Sequence, residues 1–474
     1  MQASGSTFTK RASIAIHDTR LQSALGHASG GFVHKRALQV AALPEFEALR
    51  ERAHSVKEHV LSNLDAYLER YEAQVTRQGG HVHWASTAQD AQRIILGICR
   101  DANARIITKG KSMVSEEIDL NAALEAAGHE VIETDLGEYI IQLAKEPPSH
   151  IVAPAVHKTR EQVADLFDKH HRPLGYTKHL TEVSEMVDEA RQVLRQHYFR
   201  ADVGITGGNF LIAETGSSII VTNEGNGDLT QTLARVHIVT SGIERVVPTL
   251  DDAVTFLRLL ARSATGQETT SYVTLSTGPR RGDDLDGPQE YHVVLVDNGR
   301  SKMLGGPFRE MLRCIRCGAC MNHCPVYSAI GGHAYGWVYP GPMGSVLTPL
   351  ITGLSTAYDL PNACTLNGRC QTVCPVKIPL PSLLRELRRQ QFESGLTPAP
   401  IRFALKAWAV FARRPRLYHL KTRFGIALLS MFGRQRGALS WLPLAGGWTE
   451  SRDLPAPQGR TFQQAWSARK GARP

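Results

Sequence analysis

Cys314-Ile-Arg-Cys317-Gly-Ala-Cys320-Met-Asn-His-Cys324-Pro325 is the stretch on which the reading of this chain turns. Its spacing is C-x2-C-x2-C-x3-C-P. Three thiolates two residues apart on a tight loop reach three irons of one cubane cluster, and the fourth, ahead of a chain-turning proline, points away to a second. A partner segment is therefore expected. One follows: Cys364-Thr-Leu-Asn367-Gly-Arg-Cys370-Gln-Thr-Val-Cys374-Pro375. Seven of the eight cysteines fall in these two segments. Thiolates also hold zinc, but structural zinc sites favour separated C-x2-C pairs, a form neither segment takes.

Crossing the two segments gives Cys314, Cys317, Cys320 and Cys374 to one cluster. The second then has Cys324, Cys364 and Cys370, with Asn367 in the slot where the pattern calls for a cysteine. An amide is a poor ligand for iron beside a thiolate. The expectation is one [4Fe-4S] cluster and a second that is either [4Fe-4S] with a weakly held iron or [3Fe-4S], unless another group completes that cage.

At 474 residues, 42% apolar and 21% charged, the chain is long enough for two to four domains with a sizeable core. Met1–Arg20 is too polar for a signal peptide. Pro325–Tyr358, a long stretch without Asp, Glu, Lys or Arg, carries six glycines and four prolines and is no spanning helix. Thiolates that hold iron argue against an oxidising compartment, so the expected location is cytoplasmic. From Arg385 onward there are 17 Lys and Arg against 4 Asp and Glu. A basic tail meets nucleic acid, anionic lipid or an acidic partner. No helix-turn-helix or finger pattern supports the first, and peripheral membrane contact stays open.

The expected organisation is an N-terminal arm over 1–43, an α/β domain over 44–300, an iron–sulfur module over 301–385 and a basic helical region over 386–474. Apolar spacings of three and four predict a helix over 44–77, followed by a short strand, Val82–Trp84. His81 and His83 share one face of that strand and are expected to face solvent. Helices are expected over Ala88–Arg100, Ser115–Ala127 and Leu250–Ala264. Cys99 reads as core filler. Strands are expected at 105–109, 129–133, 150–153, 219–222, 237–240, 271–277 and 291–297. This alternation means βαβ crossovers and a parallel sheet. Lys109-Gly-Lys111-Ser112 lacks the first glycine of a phosphate loop, though a helix start with two lysines can hold an anion. No flavin or nicotinamide fingerprint is visible. Glu214 and Glu224 are the acids a catalytic reading would choose, against a plainer reading as surface acids; the catalytic residues are unknown. In the tail, Ile401, Leu405, Trp408 and Ala412 fall on one helical stripe that Pro415 ends, and Ile426, Leu428, Leu429 and Phe432 form another apolar cluster.

The segments Glu133-Thr-Asp-Leu-Gly-Glu138, Gly207-Gly-Asn-Phe210, Ala213-Glu-Thr-Gly-Ser217 and Thr222-Asn-Glu-Gly-Asn226 resemble the lactate utilization (LUD) domain. Gly331–Gly344 and Trp448–Pro455 fit as well, and the order of all segments is similar to that of the lactate utilization protein B family. The resemblance implies an α/β fold of the CoA-transferase and isomerase-like type plus a two-cluster ferredoxin-like module. It implies electron transfer during oxidation of L-lactate to pyruvate, in company with a cysteine-rich subunit and a second LUD subunit. The family commonly carries Cys where this chain has Asn367, a departure that Cys364 can compensate and that leaves the type of the second cluster open. Two other readings stay open: an acyl- or CoA-handling enzyme with regulatory clusters, and a redox-sensing binding protein.

Overall fold

The computed structural model describes residues 8–433, 435–442, 446–449 and 452–471. The chain divides into two compact units, Met1–Gln391 and Phe392–Pro474. Among the described residues, ten strands lie in the first: β1 His81–Ala85, β2 Ile106–Lys109, β3 Glu130–Glu133, β4 Val203–Gly207, β5 Phe210–Ile212, β6 Ser217–Thr222, β7 Val236–Gly242, β8 Val246–Val247, β9 Tyr272–Ser276 and β10 Glu290–Val296. Six of them form a parallel sheet in the order β1-β10-β7-β4-β2-β3. Every residue of β2 and β7 is buried, as parallel strands covered by helices on both faces must be. A second, mostly antiparallel sheet runs β8-β5-β6-β9. The fold is thus α/β, with a helical cysteine-bearing module continuing from it.

The expected arm, of which residues 1–7 lie outside the described residues, is helical from Phe8. α1 (Phe8–His17) and α2 (Thr19–Ala41) lie against the cysteine module. Phe8 meets the Tyr335 ring at 5.5 Å, Arg11 donates to Ala334 O at 3.0 Å and Gln22 to Ala329 O at 2.7 Å. The helix expected over 44–77 is two, α3 (Phe46–Ser62) and α4 (Leu64–Arg77), parted at Asn63. The helix expected over 115–127 splits at Asp119, whose φ of 52° no helix continues through. Residues 150–153 form no strand. His150 accepts from Val152 N and Ala153 N, both at 3.0 Å, and pairs with Asn322 at 2.9 Å, which folds the segment against the cysteine module.

Two further expectations change. His83 does not face solvent: it is half-buried, and its Nε2 lies 3.0 Å from Nδ1 of His292. Lys109 holds no external anion, because its buried ammonium is paired with Glu116 at 2.9 Å and Glu133 at 2.8 Å. Cys99 is buried on the helix Ala88–Asp101, and burial pushes its thiol up to about 12, so it is core.

Burial, then the neighbouring His292, lowers His237 to about 3; the residue is 1% exposed, bonds Thr206 at 2.8 Å and packs on Tyr291. Its folded value lies below the unfolded value of about 6.5, so its contribution to stability is present above pH 6.5 and lost as pH falls. The cost approaches about 1.4 kcal/mol per pH unit below 6.5. His237→Gln keeps a partner for Thr206 and does not titrate. We expect its apparent melting temperature to fall less steeply than the native chain's between pH 7 and 5.5, as followed by circular dichroism.

In the second unit, helix Ala399–Ala412 stops before Pro415, and helix Pro415–Gly433 begins there, where proline's fixed φ suits a first turn. Phe403, Trp408, Phe424 and Phe432 are 60 to 76% exposed. No helix among the described residues is long and apolar enough to cross a membrane. Within Trp448–Pro455, Glu450 and Ser451 lie outside the described residues.

Candidate metal centre

The two cysteine segments have the same backbone. Arg316 and Leu366, each two residues after the first cysteine, sit at φ 58° and 55°. Their amides donate to Cys314 Sγ at 3.4 Å and Cys364 Sγ at 3.3 Å. Gly318 and Gly368 follow at φ 75° and 82° and open the short helices Ala319–Asn322 and Arg369–Val373. Glycine takes that left-handed turn without a Cβ penalty. The repeat sets Asn367 in the slot that Cys317 fills in the first segment.

Cys314, Cys317, Cys320 and Cys374 line one cavity, closed by Ile151, Met343, Val376 and Leu380. Burial, then the sulfur of Cys374, pushes the Cys317 thiol up to about 12; Cys320 and Cys374 are raised from the same first cause. Cys324, Cys364 and Cys370 form the second group. Burial, then Cys364 and Cys324, pushes Cys370 up to about 12, and burial raises Cys324. Thiols crowded and buried in this way give up their protons to a metal rather than to water. Asn367 is exposed, and its Oδ1 accepts from Arg369 N at 2.9 Å.

Beside Cys314 lies a buried charge layer. Lys57, Arg245, Arg300 and Arg316 face the carboxylates of Glu117 and Glu244, four cations against two anions. Arg300 takes both carboxylates at 2.7 Å. Arg316 reaches Glu244 at 3.4 Å and lies 4.5 Å over the Tyr339 ring. Arg245 Nε and Nη1 and Arg316 Nε have no hydrogen-bond partner among the described residues. Burial first, and then the neighbouring Arg245, lower Lys57 to about 8 against the pull of Glu244 and Cys314. Uncompensated buried cations are costly, and an anionic group in the four-cysteine cavity compensates them. The second group has its own buried donor: the Tyr335 hydroxyl lies among Cys324 and Cys364, and its hydrogen bond to Cys324 works against the effect of burial on that thiol. Thiolates of this number, in apolar shells with unspent donors, fit iron–sulfur clusters.

The sequence reading missed the charge layer entirely. Only Arg316 carried a signal, a guanidinium inside a cluster loop. Of the two acids singled out, Glu214 accepts from Leu250 N at 3.3 Å at a helix start, and Glu224 accepts from Leu136 N at 3.1 Å beside Asp135. Neither lines the four-cysteine cavity.

The α/β sheet pair and the paired cysteine segments define a LUD domain joined to an iron–sulfur ferredoxin-like module. Residues 68–296 match the LUD domain, 310–378 the 4Fe-4S dicluster domain, and 393–471 the C-terminal domain of lactate utilisation protein B. The chain is 45% identical over 465 residues to lactate utilization protein B of Lysinibacillus sphaericus, covering 98% of this chain and 97% of that one. It is 45% identical to lactate utilization protein B of a Geobacillus species over 466 residues, with the same coverage. It is 44% identical over 463 residues to the uncharacterized electron transport protein YkgF of Escherichia coli, at 98% and 97% coverage. The chain belongs to the lactate utilization protein B family.

Proposed function

We propose that this chain is the iron–sulfur electron-transfer subunit of a complex that oxidises L-lactate to pyruvate. The observation that carries the reading is the convergence of Cys314, Cys317, Cys320 and Cys374 on one cavity with Cys324, Cys364 and Cys370 beside it. Those residues would hold two clusters, the first [4Fe-4S] and the second [4Fe-4S] or [3Fe-4S]. Clusters take electrons singly and lactate yields two, so two in series make a relay. The protein supplies thiolates, an apolar shell that excludes water, and N–H donors that tune the potentials. Relatives named for lactate utilization and for electron transport support the same reading.

The partners in this reading are a cysteine-rich subunit and a second LUD subunit. Lactate-dependent dye reduction by the reconstituted complex is expected with this chain and not without it. Turnover of a CoA ester by the chain alone would favour the enzyme alternative. Cluster-dependent partner affinity without turnover would favour the sensor.

The second unit is proposed as the docking element, since it combines exposed aromatics with the basic excess. A chain ending at Gln391 is expected to keep its clusters and to lose assembly. Assembly of the full chain is expected to weaken with salt, because exposed charges are screened beyond about 8 Å at physiological ionic strength. Full assembly by the shortened chain, measured by gel filtration, would make the tail incidental.

A further inference from the structure

A cavity of about 260 Å³ in the α/β domain gathers the motif residues that the cluster sites leave unexplained. Asn209 and Glu224 reach it from the loops flanking β5 and β6, Asn226 from the start of the helix Asn226–Leu233, Asp135 from the loop after β3, and Lys111 from the loop after β2. Arg316 and Cys317 wall it off from the four-cysteine cavity and border both. Lys111 Nζ donates to Val152 O at 2.7 Å and stands 3.8 Å from Asp135. Asn226 is 6% exposed, and its side chain bonds no described residue. Glu224 is exposed as a residue, and burial of its carboxyl and then the neighbouring Asp135 raise it from the usual carboxylate range.

We propose that this cavity binds a small 2-hydroxy carboxylate beside the first cluster, an assignment that rests on the lactate reading above. Lys111 and the Asn226 amide supply donors for a carboxylate. Asp135 and Glu224 supply acceptors for a hydroxyl. A 2-oxo acid or a plain carboxylate has no hydroxyl proton to give, and a site built to bond a hydroxyl rejects analogues that lack it. The volume lies under the roughly 300–1,000 Å³ of pockets for drug-sized ligands, which favours a molecule of a few heavy atoms over CoA.

The test is calorimetric titration of the anaerobic, cluster-loaded full chain with L-lactate, pyruvate and propionate. L-lactate is expected to bind at least tenfold more tightly than the other two. Lys111→Met and the cavity-filling Thr270→Trp are each expected to weaken it at least tenfold with iron content unchanged. Saturation with L-lactate is expected to alter the electron paramagnetic resonance of the first cluster and not of the second. No binding, equal binding of all three acids, or binding indifferent to both substitutions overturns the proposal. A complex that passes electrons from lactate while the chain binds none refutes the cavity and leaves the relay. A chain that binds lactate but accepts no electrons in the complex refutes the relay and leaves the cavity.

Discussion

Replacing Asn367 by cysteine is expected to convert an oxygen-sensitive second cluster into a stable one. The two segments share their positive-φ positions and their N–H···S bonds, so a cysteine at 367 enters a backbone already shaped for it. In the native chain that slot offers an amide whose oxygen is spent on Arg369 N at 2.9 Å. Three thiolates then remain, and iron at the fourth corner has only oxygen or water. Air exposure of the native protein is expected to give the paramagnetic signal of a three-iron cluster; Asn367→Cys is expected to abolish it and bring iron to about eight per chain. The first cluster, away from this slot, is expected to be unchanged in both. Two air-stable four-iron clusters in the native protein, with no effect of the substitution, would mean that another group completes the cage.

Removing a buried cation beside Cys314 is expected to act in opposite directions on the metal-free and loaded chains. The layer of Lys57, Arg245, Arg300 and Arg316 outweighs Glu117 and Glu244 by two charges. A cluster ligated by four thiolates is anionic, and reduction adds one more negative charge, so each cation favours the reduced state. Arg245→Met is expected to shift the first cluster's reduction equilibrium at least tenfold toward the oxidised form, a fall of about 59 mV for one electron. The second cluster is expected to stay within a small fraction of that shift. The metal-free chain, relieved of an unpaired buried charge, is expected to melt higher than the native one. A potentiometric titration followed by electron paramagnetic resonance reads the first effect and calorimetry the second. Equal shifts in both clusters would mean that the layer does not act locally.

The parts of this molecule visible in its sequence are those with a fixed period or spacing. Leu250–Ala264 is a helix with the bounds expected, because its apolar residues recur at helical spacing and Thr249 caps it through Asp252 N. The cysteine spacing pointed to both groupings because ligands on one tight loop are set by local geometry. Half of the mostly antiparallel sheet was hidden: strands near 219–222 and 271–277 were expected, but Phe210–Ile212 and Val246–Val247 are too short to show alternation. The apolar run at 150–153 looked like a strand and instead covers the cysteine module, a contact fixed by Asn322, far away in the chain. α2 escaped because its apolar residues do not form one stripe. The buried cations escaped because charge is normally read as surface, and only the fold turns Lys57 and Arg245 inward to meet Cys314.

The claim that matters most is that electrons from lactate reach the clusters of this chain. Freeze-quenched electron paramagnetic resonance of the reconstituted complex, mixed with L-lactate in the absence of an external acceptor, measures it directly. The relay predicts that the signals of this chain's reduced clusters appear within the turnover time and are absent when Cys320→Ser and Cys370→Ser are combined. Continued pyruvate formation with those clusters oxidised, or undiminished dye reduction by the doubly substituted complex, would contradict it.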